Sequence, residues 1–314
     1  MLLIPFDTAS IPAVARFLSR LNSLPEHNIC YIGLTESEIS AELSVVLPPE
    51  GYGLVELDEV EQVTGFLGVE LDLSLGRGWL FGPFVDRSEG QALSEGQTAS
   101  DWQTQADRLY QAALQSMPPE IGDLELCSRP ENTHLEEFAA RHGFTRGAEA
   151  ALLSLPRPEG EVSDTPAQFH KPALDSPALM AAYLPELSSL HDALFPNTYF
   201  SAAQLLTMSA EEEKRLQIEV VDGHLSGYIF LQVRPANRDA NIDFLGVAEP
   251  YRRSGIASKL LREALAWAFS HPFVDQASLT VHTSNAGAIR LYERAGFKTD
   301  QILCGYRKRE VVRS

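Results

Sequence analysis

The stretch VAEPYRRSGIASKLL, Val247–Leu261, decides the fold of this chain. A short apolar run ends there, a proline and two arginines follow, and a helical pattern starts at Ile256, directly after Gly255. The first turn of a helix has unpaired backbone N–H groups and the positive end of the helix dipole, and both favour a bound anion. Glycine lets the backbone approach such a ligand without a Cβ. The stretch therefore predicts a pyrophosphate cradle made mainly of backbone.

Two arginines strengthen this prediction, because Arg252 and Arg253 add positively charged donors in front of the helix. The stretch is not a P-loop, since GxxxxGK[ST] is absent, and it is not the dinucleotide fingerprint, since it has one glycine. Taken alone, it fits a basic helix start with a turn glycine equally well. The surrounding elements are needed to decide.

Strand and helix patterns alternate on both sides of the stretch. Residues 215–233 predict two strands around a turn at Asp222-Gly223. The other elements of this half are predicted from their periodicity: helical patterns at 176–194 (interrupted by Pro185), 201–208, 255–269 and 286–296, and strands at 241–247, 277–283 and 297–308.

The first half of the chain repeats this order. Strands are predicted at 51–58, 64–73, 76–85, 123–128 and 144–155, with helices at 101–117 and 133–143. NAGAIRLYERAGF at 285–297 and NTHLEEFAARHGF at 132–144 share Asn, Gly and Phe at equal offsets. The Pro-rich and acidic segment 156–166 is typical of a linker. We predict a duplication with domains at 1–155 and 167–314.

Charge and cysteine content narrow the function. The net charge is −18, and residues 1–160 have 25 acidic residues against nine arginines. An acidic surface argues against a nucleic-acid partner but tolerates a cationic one, such as an amine. No apolar run is long enough for a membrane span, and the N-terminus has no basic region typical of a signal peptide. Three widely spaced cysteines have no metal-ligand spacing, which indicates buried free thiols in the cytoplasm.

The chain resembles the GNAT superfamily of acetyl-CoA-dependent N-acetyltransferases. The signature of that superfamily, Arg/Gln-x-x-Gly-x-Gly/Ala between a strand and a helix, is matched by Arg252, Gly255 and Ala257. Its downstream motif is matched by Asn285, Ala288, Leu291, Tyr292, Gly296 and Phe297. The resemblance is strong over 167–309 and extends weakly to 1–155, as a second, degenerate copy.

The resemblance implies an α/β (α+β) fold of two tandem GNAT-like domains, each a mixed, mostly antiparallel sheet flanked by helices. The strands at 241–247 and 277–283 splay apart, and the pantetheine arm of acetyl-CoA lies in the gap. No metal is implied. The implied contacts of the cofactor are Leu245, Val247, Arg252, Arg253, Ser254, Gly255, Ile256, Ala257, Ser258 and Asn285.

The resemblance also implies roles in catalysis. Tyr292 protonates the departing thiolate, and Asn285 binds the arm or organises the site. For the general base we favour Asp243, with Glu219 and His282 as rivals, and a water chain is a further alternative. The acceptor pocket is expected at 190–206, where His191, Asp192, Phe195, Tyr199 and Phe200 would form a rim.

The first half departs from the family pattern. Where the cradle should recur, residues 85–96 read VDRSEGQALSEG, in which Arg87 and Gly90 keep a trace of the spacing but Glu89 adds a negative charge. Ala139 stands where Tyr292 would recur. We expect the N-terminal copy to be structural or regulatory.

The sequence therefore predicts a cytoplasmic N-acetyltransferase, a monomer or homodimer, that acts on a small-molecule or peptide amine without nucleic-acid or membrane partners. Two alternatives stay open: a non-catalytic acyl-CoA sensor, and a transferase that uses another acyl donor.

Overall fold

The computed structural model describes residues 2–48, 51–86, 100–158, 177–196, 198–235 and 237–309. They form two compact units. The N-terminal unit contains the described residues of Met1–Ala150 and Ile302–Ser314, and the C-terminal unit contains those of Ala151–Gln301. The end of the chain therefore belongs, by its contacts, with the first half.

The helices and strands have the following bounds. The first half of the chain contains β1 (Leu2–Pro5), α1 (Ile11–Asn22), α2 (Glu36–Glu42), β2 (Gly51–Leu57), β3 (Val63–Asp72), β4 (Arg77–Val85), α3 (Ser100–Ser116), β5 (Asp123–Ser128), α4 (Thr133–Arg141) and β6 (Thr145–Pro156). The second half contains α5 (Pro177–Ala182), α6 (Leu184–Leu194), α7 (Ala202–Met208), β7 (Lys214–Val221), β8 (His224–Arg234), β9 (Asp239–Val247), α8 (Ile256–Phe269), β10 (Gln276–His282), α9 (Ala286–Arg294) and β11 (Lys298–Arg309).

The N-terminal unit has the strand order β1-β2-β3-β4-β5-β11. Neighbouring strands are antiparallel except β4 and β5, which are parallel. β11 supplies the last strand by pairing its residues 304–309 with β5. The core of the N-terminal unit includes the buried face of α1, made by Val14, Phe17, Leu18 and Leu21. It also includes buried side chains of α3, among them Leu109 and Tyr110.

The C-terminal unit has the strand order β6-β10-β9-β8-β7. β7, β8 and β9 are antiparallel neighbours, and β9 and β10 are parallel. α8 buries the face that its 3.6-residue period predicts, made by Ile256, Leu260, Leu261, Ala264, Leu265 and Ala268. A second cluster forms around α6, α7 and β8, and it includes Leu187, Leu205, Tyr228 and Phe230.

Local signals explain where the helices begin and end. Ser201 and Gln204 form a capping box at α7. Asn132 caps α4 and Asn285 caps α9, each through its side-chain oxygen. The helical pattern predicted at 176–194 is divided at Tyr183 into α5 and α6. Pro185 lies in the first turn of α6, where its missing N–H costs nothing.

The predicted fold is confirmed: each unit has a mixed, mostly antiparallel sheet with helices. The strand β1 and the helices α1 and α2 were not predicted. The division into domains 1–155 and 167–314 with a linker at 156–166 stays a proposal about the repeat. Most of that linker, and Arg87, Glu89 and Gly90, lie outside the described residues.

Candidate functional site

The gap predicted between two strands is present in the C-terminal unit. β9 and β10 pair only where Asp239–Ile242 lie beside Gln276–Leu279, and the two strands do not pair beyond these residues. β9 continues beside β8 to Val247, with one extra residue, Asp243, between the pairs Phe230↔Phe244 and Leu231↔Ile242. Such a bulge bends a strand and increases its twist, which accounts for the parting of β9 from β10.

The edge of β9 in this gap presents backbone groups. The N–H of Ala248 donates to the carbonyl oxygen of Ser226 at 2.9 Å, so this pair is of the hydrogen-bonded kind. In an antiparallel ladder, alternate residues turn their backbone groups to opposite sides. The backbone groups of Gly246 therefore form hydrogen bonds with β8. The N–H and C=O groups of Leu245 and Val247 point to the other side of β9, toward the gap.

The start of α8 has the geometry of an anion site. Gly255 is the N-cap, with φ of 90°, and no side chain caps the helix. The first intrahelical bond runs from Lys259 N–H to the Gly255 carbonyl, so the amides of Ile256, Ala257 and Ser258 have no acceptor among the described residues. A Cβ built at Gly255 would meet no atom within 4 Å, which leaves room for a ligand against the backbone.

Both arginines lie beside this helix start. Arg253 has a left-handed φ of 66°, and Arg252 donates from Nε to the Val247 carbonyl at 3.3 Å. Ser254 donates to the Tyr251 carbonyl at 2.5 Å, which closes the turn. The exposed guanidinium groups and the unpaired amides supply positive charge at one place.

A cavity of about 300 Å³ adjoins this start between α8 and α9. Its lining residues are Ser258, Leu261, Arg262, Leu265, Leu291, Arg294 and Ala295. Ser258 belongs both to the first turn of α8 and to this cavity. The apolar side chains of this lining suit contact with a flat ring, and the two arginines suit a phosphate group attached to that ring.

Tyr292 and Asn285 lie on the helix that follows β10. Tyr292 is 7% exposed and packs edge-to-face on Phe297, with ring centroids 5.8 Å apart. Burial raises the pKa of its hydroxyl to about 12, so the proton is retained at neutral pH. Asn285 is exposed, and its Oδ1 accepts from Ala288 N–H at 3.1 Å, which leaves the amide NH₂ to donate.

Asp243, the extra residue of the bulge, accepts hydrogen bonds from three side chains. Tyr199 donates its hydroxyl proton to Oδ1 at 2.9 Å, Asn241 donates to Oδ1 at 2.9 Å, and Gln232 donates to Oδ2 at 3.1 Å. Burial raises the pKa of the carboxyl to about 6, while the three hydrogen bonds and Arg234 oppose that rise. A carboxyl with this pKa is ionised at neutral pH and still basic enough to accept a proton.

The rivals for the base have different surroundings. Both carboxylate oxygens of Glu219 lie 2.7 Å from Nζ of Lys259, so Glu219 is held in an ion pair between β7 and α8. His282 is exposed at the end of β10, and its carbonyl accepts from Asn285 N–H. The structure brings neither side chain to the bulge.

The predicted acceptor rim is an aromatic cluster on the bulge. Phe195 and Tyr199 pack on Phe244, with centroids 5.1 and 5.3 Å apart. The prediction that His191 lines the rim is wrong, because His191 is 1% exposed. Its Nδ1 lies 2.6 Å from the Tyr228 hydroxyl and its Nε2 lies 2.8 Å from the Phe200 carbonyl, so it ties α6 to β8.

Sequence reasoning missed Gln232 and Asn241, which donate to Asp243. The alternation of β8 and β9 could have placed them on one face, since Gln232 and Asn241 are opposite each other in register. Asp243 lies two residues after Asn241, so the alternation of β9 also places it on that face, but the bulge at Asp243 has no sequence signal of its own.

The N-terminal unit builds the same parallel pair. β4 and β5 pair only over Arg77–Trp79 and Asp123–Glu125. Beyond that point a segment of the chain itself lies against β5: Ile29 forms a bridge with Ser128, and Cys30 N–H donates to the Cys127 carbonyl at 2.9 Å. We call residues 28–33 the inserted segment.

Two buried asparagines hold the inserted segment. The side chain of Asn22 donates to the carbonyls of Ile32 and Gly33 and accepts from Ile29 N–H. Asn132, the counterpart of Asn285, donates from Nδ2 to the Asn28 carbonyl at 3.2 Å. The amide at the start of the helix thus binds a peptide carbonyl that lies beside the free end of the strand.

Among the described residues, α3 of the N-terminal unit has no equivalent of the glycine start of α8. Gly65 and Gly227 have equivalent places in the two sheets, opposite Glu56 on β2 and Glu219 on β7. A Cβ at Gly65 would meet Gln105 of α3, and a Cβ at Gly227 would meet Ile256 of α8. Gln105 thus corresponds to Ile256, yet α3 begins five residues earlier, at Ser100. α3 is therefore already helical at the positions that correspond to the turn before α8, which ends at Gly255.

No group of three or more His, Cys, Asp or Glu side chains that could hold a metal ion occurs in the described part of the chain. Among the described helices, none is long and apolar enough to cross a membrane.

Residues 180–297 match the model of the acetyltransferase (GNAT) family. The chain is 28% identical over 85 residues to the L-amino acid N-acetyltransferase AaaT of Escherichia coli (strain K12), covering 26% of this chain and 52% of that protein. It is 31% identical over 99 residues to an N-alpha-acetyltransferase of Saccharolobus solfataricus, covering 28% of this chain and 59% of that protein. The chain thus spans between half and two thirds of these relatives.

Solved structures resemble the whole chain. A GCN5-related N-acetyltransferase from Sphaerobacter thermophilus has a TM-score of 0.65 at 20% identity, covering 99% of this chain and 96% of that one. A tandem GNAT protein from the clavulanic acid biosynthesis pathway has a TM-score of 0.60 at 14% identity, covering 100% and 99%. At these identities the likeness concerns the fold, and it supports a tandem arrangement.

Proposed function

We propose that the C-terminal unit, in which residues 180–297 match the model of the acetyltransferase (GNAT) family, transfers an acetyl group from acetyl-CoA to a primary amine. The amine attacks directly while both substrates are bound. The observation that carries this proposal is the exposed start of α8 at Gly255, next to the gap between β9 and β10. We place the reaction in the cytoplasm, in keeping with three free cysteines.

The described residues fit the cofactor. The amides of Ile256–Ser258 and the arginines Arg252 and Arg253 would hold the pyrophosphate, and the cavity beside Ser258 would hold the nucleoside end. Leu245 and Val247 would bind the amide-bearing arm through their backbone groups. Asn285 would donate to an amide carbonyl of that arm, as Asn132 donates to the Asn28 carbonyl in the N-terminal unit.

Acetyl-CoA supplies an acetyl group activated as a thioester. The gap and the aromatic cluster position the amine next to that group, and positioning lowers the barrier to a bimolecular step. A backbone N–H of Leu245 or Val247 donates to the carbonyl oxygen as negative charge develops there.

The proton transfers are assigned as follows. Asp243 takes a proton from the ammonium form of the acceptor, which makes the nitrogen lone pair available. As the nitrogen–carbon bond forms and the carbon–sulfur bond breaks, the Tyr292 hydroxyl donates a proton to sulfur. The acetylated nitrogen then loses its second proton, which returns through solvent to the Tyr292 phenolate and gives a neutral amide and a free thiol. Asp243 releases its proton to solvent before the next turnover. The high pKa of Tyr292 ensures that the hydroxyl still has its proton when it is needed.

The test is an assay of the full chain with acetyl-CoA and a panel of primary amines: amino acids, peptides with free N-termini, polyamines and aminoglycosides. Free thiol is followed continuously, and acetylated amine is identified by mass spectrometry. We expect thiol release that requires an amine. Coenzyme A binding without thiol release for any amine would contradict the proposal and favour a sensor.

A further inference from the structure

The loop between α6 and α7 places one tyrosine on the bulge of β9. Tyr199 is 45% exposed, yet its hydroxyl donates to Asp243 Oδ1 at 2.9 Å. Its ring packs on Phe244 and Phe200, with centroids 5.3 and 4.8 Å apart. Ring contacts on two sides fix the direction of the hydroxyl, so the hydrogen bond to the carboxylate is held in one geometry.

Asp243 needs such a partner because it is the extra residue of the bulge. It has no opposite residue on β8, so the backbone ladder does not fix its position as it fixes Ile242 and Phe244. Its carboxylate is held by side chains from three places: Gln232 on β8, Asn241 on β9 and Tyr199 on the loop.

The donors differ in their relation to solvent. Gln232 and Asn241 lie in the sheet, on strands paired with each other. Tyr199 is the donor that lies on a loop and exposes a large part of its ring. An acceptor molecule that approaches the carboxylate from the loop side therefore contacts Tyr199.

We propose that Tyr199 is a positioning residue, whose hydroxyl holds the Asp243 carboxylate in the ionised form that accepts a proton from the amine. The inference rests on the proposed function. Since the hydroxyl donates to the charged form, it stabilises that form against protonation. The phenol keeps its own proton, because burial and the nearby carboxylate raise its pKa far above the ordinary value.

Other charges act on Asp243 less directly. Arg234 on β8 favours the carboxylate, but its guanidinium forms an ion pair with Asp239 at the start of β9. These two groups are present in every variant named below, so they do not account for a difference between variants.

The experiment measures kcat/KM against pH between about 5 and 9 for the full chain and its variants. The wild-type rate should fall as the pH drops through about 6, where the Asp243 carboxyl takes up its proton. Tyr199→Phe removes the donor but keeps the ring. We expect its acid limb to move up by about one pH unit, with nearly wild-type turnover at high pH and an unchanged KM for acetyl-CoA.

Tyr228→Phe is the matched control, because Tyr228 is a buried tyrosine of β8 whose hydroxyl bonds His191 instead of Asp243. We expect its acid limb to stay in place. A Tyr199→Phe profile that superimposes on the wild type, or one that is lowered equally at all pH values, would overturn the proposal.

Asp243→Asn separates this proposal from the proposed function. We expect a loss of at least 100-fold at neutral pH and no acid limb. If Asp243→Asn keeps full activity, the assignment of the base is wrong. If Asp243→Asn is inactive and Tyr199→Phe is normal, only the role of Tyr199 is wrong.

Discussion

Each unit contains a gap between two parallel strands that part, which we call the opening, and the units differ in whether the chain itself lies in it. In each, two parallel strands pair for three or four residues and then part. In the N-terminal unit the inserted segment lies against the free end of β5, whereas in the C-terminal unit no described backbone segment pairs with Leu245–Val247 on that side. A parting of strands leaves backbone groups that need partners, and these partners can come from the chain or from a ligand.

The starts of α3 and α8 differ between the two units in the same way. α8 begins at a left-handed glycine, which exposes its first amides, and α3 starts five residues before the corresponding position. Trp102, in the extra turn of α3, is buried against His134. In the described residues of the N-terminal unit, the chain itself thus packs at both places that correspond to the exposed helix start and the gap of the C-terminal unit.

The largest expected effect is on cofactor binding. Gly255→Glu puts a carboxylate and a Cβ at the exposed amides, in a conformation with φ of 90°. We expect acetyl-CoA affinity to fall at least 100-fold, because charge and backbone strain act together. Isothermal titration of the wild-type chain should give one site per chain.

Gly122→Glu is the control for that variant, because Gly122 is an exposed glycine of the N-terminal unit with no atom within 4 Å of a Cβ. It should bind like the wild type. Two sites per wild-type chain, or near-normal affinity in Gly255→Glu, would contradict the difference between the units.

The second effect is on turnover. Tyr292→Phe should lower kcat by about 100-fold and spare acetyl-CoA affinity, since it removes an acid without changing packing. Tyr306→Phe is a matched control in the N-terminal unit, because burial also raises the pKa of Tyr306 to about 12. Equal rates for the two variants would remove Tyr292 from the role of acid.

The third effect contrasts two asparagines at equal positions. Asn132→Ala should lower the free energy of unfolding by about 2 kcal/mol in urea, because it removes a helix cap and leaves the Asn28 carbonyl without its donor. Asn285→Ala should cost about 1 kcal/mol of stability. It should also weaken acetyl-CoA binding about tenfold, which corresponds to one lost hydrogen bond.

The reverse result would break the comparison. If Asn132→Ala changed acetyl-CoA affinity and Asn285→Ala did not, the N-terminal opening would be the one that takes the cofactor.

The smallest effect concerns two ion pairs. Glu56 pairs with Arg108 and Glu219 pairs with Lys259, each on the strand position opposite a glycine. Glu56 is fully buried, so Glu56→Gln should destabilise the protein clearly in a urea titration. Glu219→Gln should cost less than about 1 kcal/mol and leave kcat within about twofold, because its pair is partly exposed. A large loss of kcat in Glu219→Gln would restore Glu219 as a candidate base.

Much of the fold could be predicted from sequence. The apolar face of α8, the turn at Asp222-Gly223 and the caps Ser201, Asn132 and Asn285 are local signals, and the structure contains all of them. The inserted segment could not be predicted, because its partners on β5 and at the start of α4 lie about 100 residues away in the chain.

The sequence by itself determined the exposed start of α8, because a glycine, two arginines and a helical period lie within fifteen residues. It also determined the repeat, through equal spacing of residues that cap and end helices. The tertiary structure decided which opening is filled, where the bulge places Asp243, and that His191 is buried. These outcomes depend on contacts between strands and loops that are distant in sequence, and a local pattern of residues does not contain them.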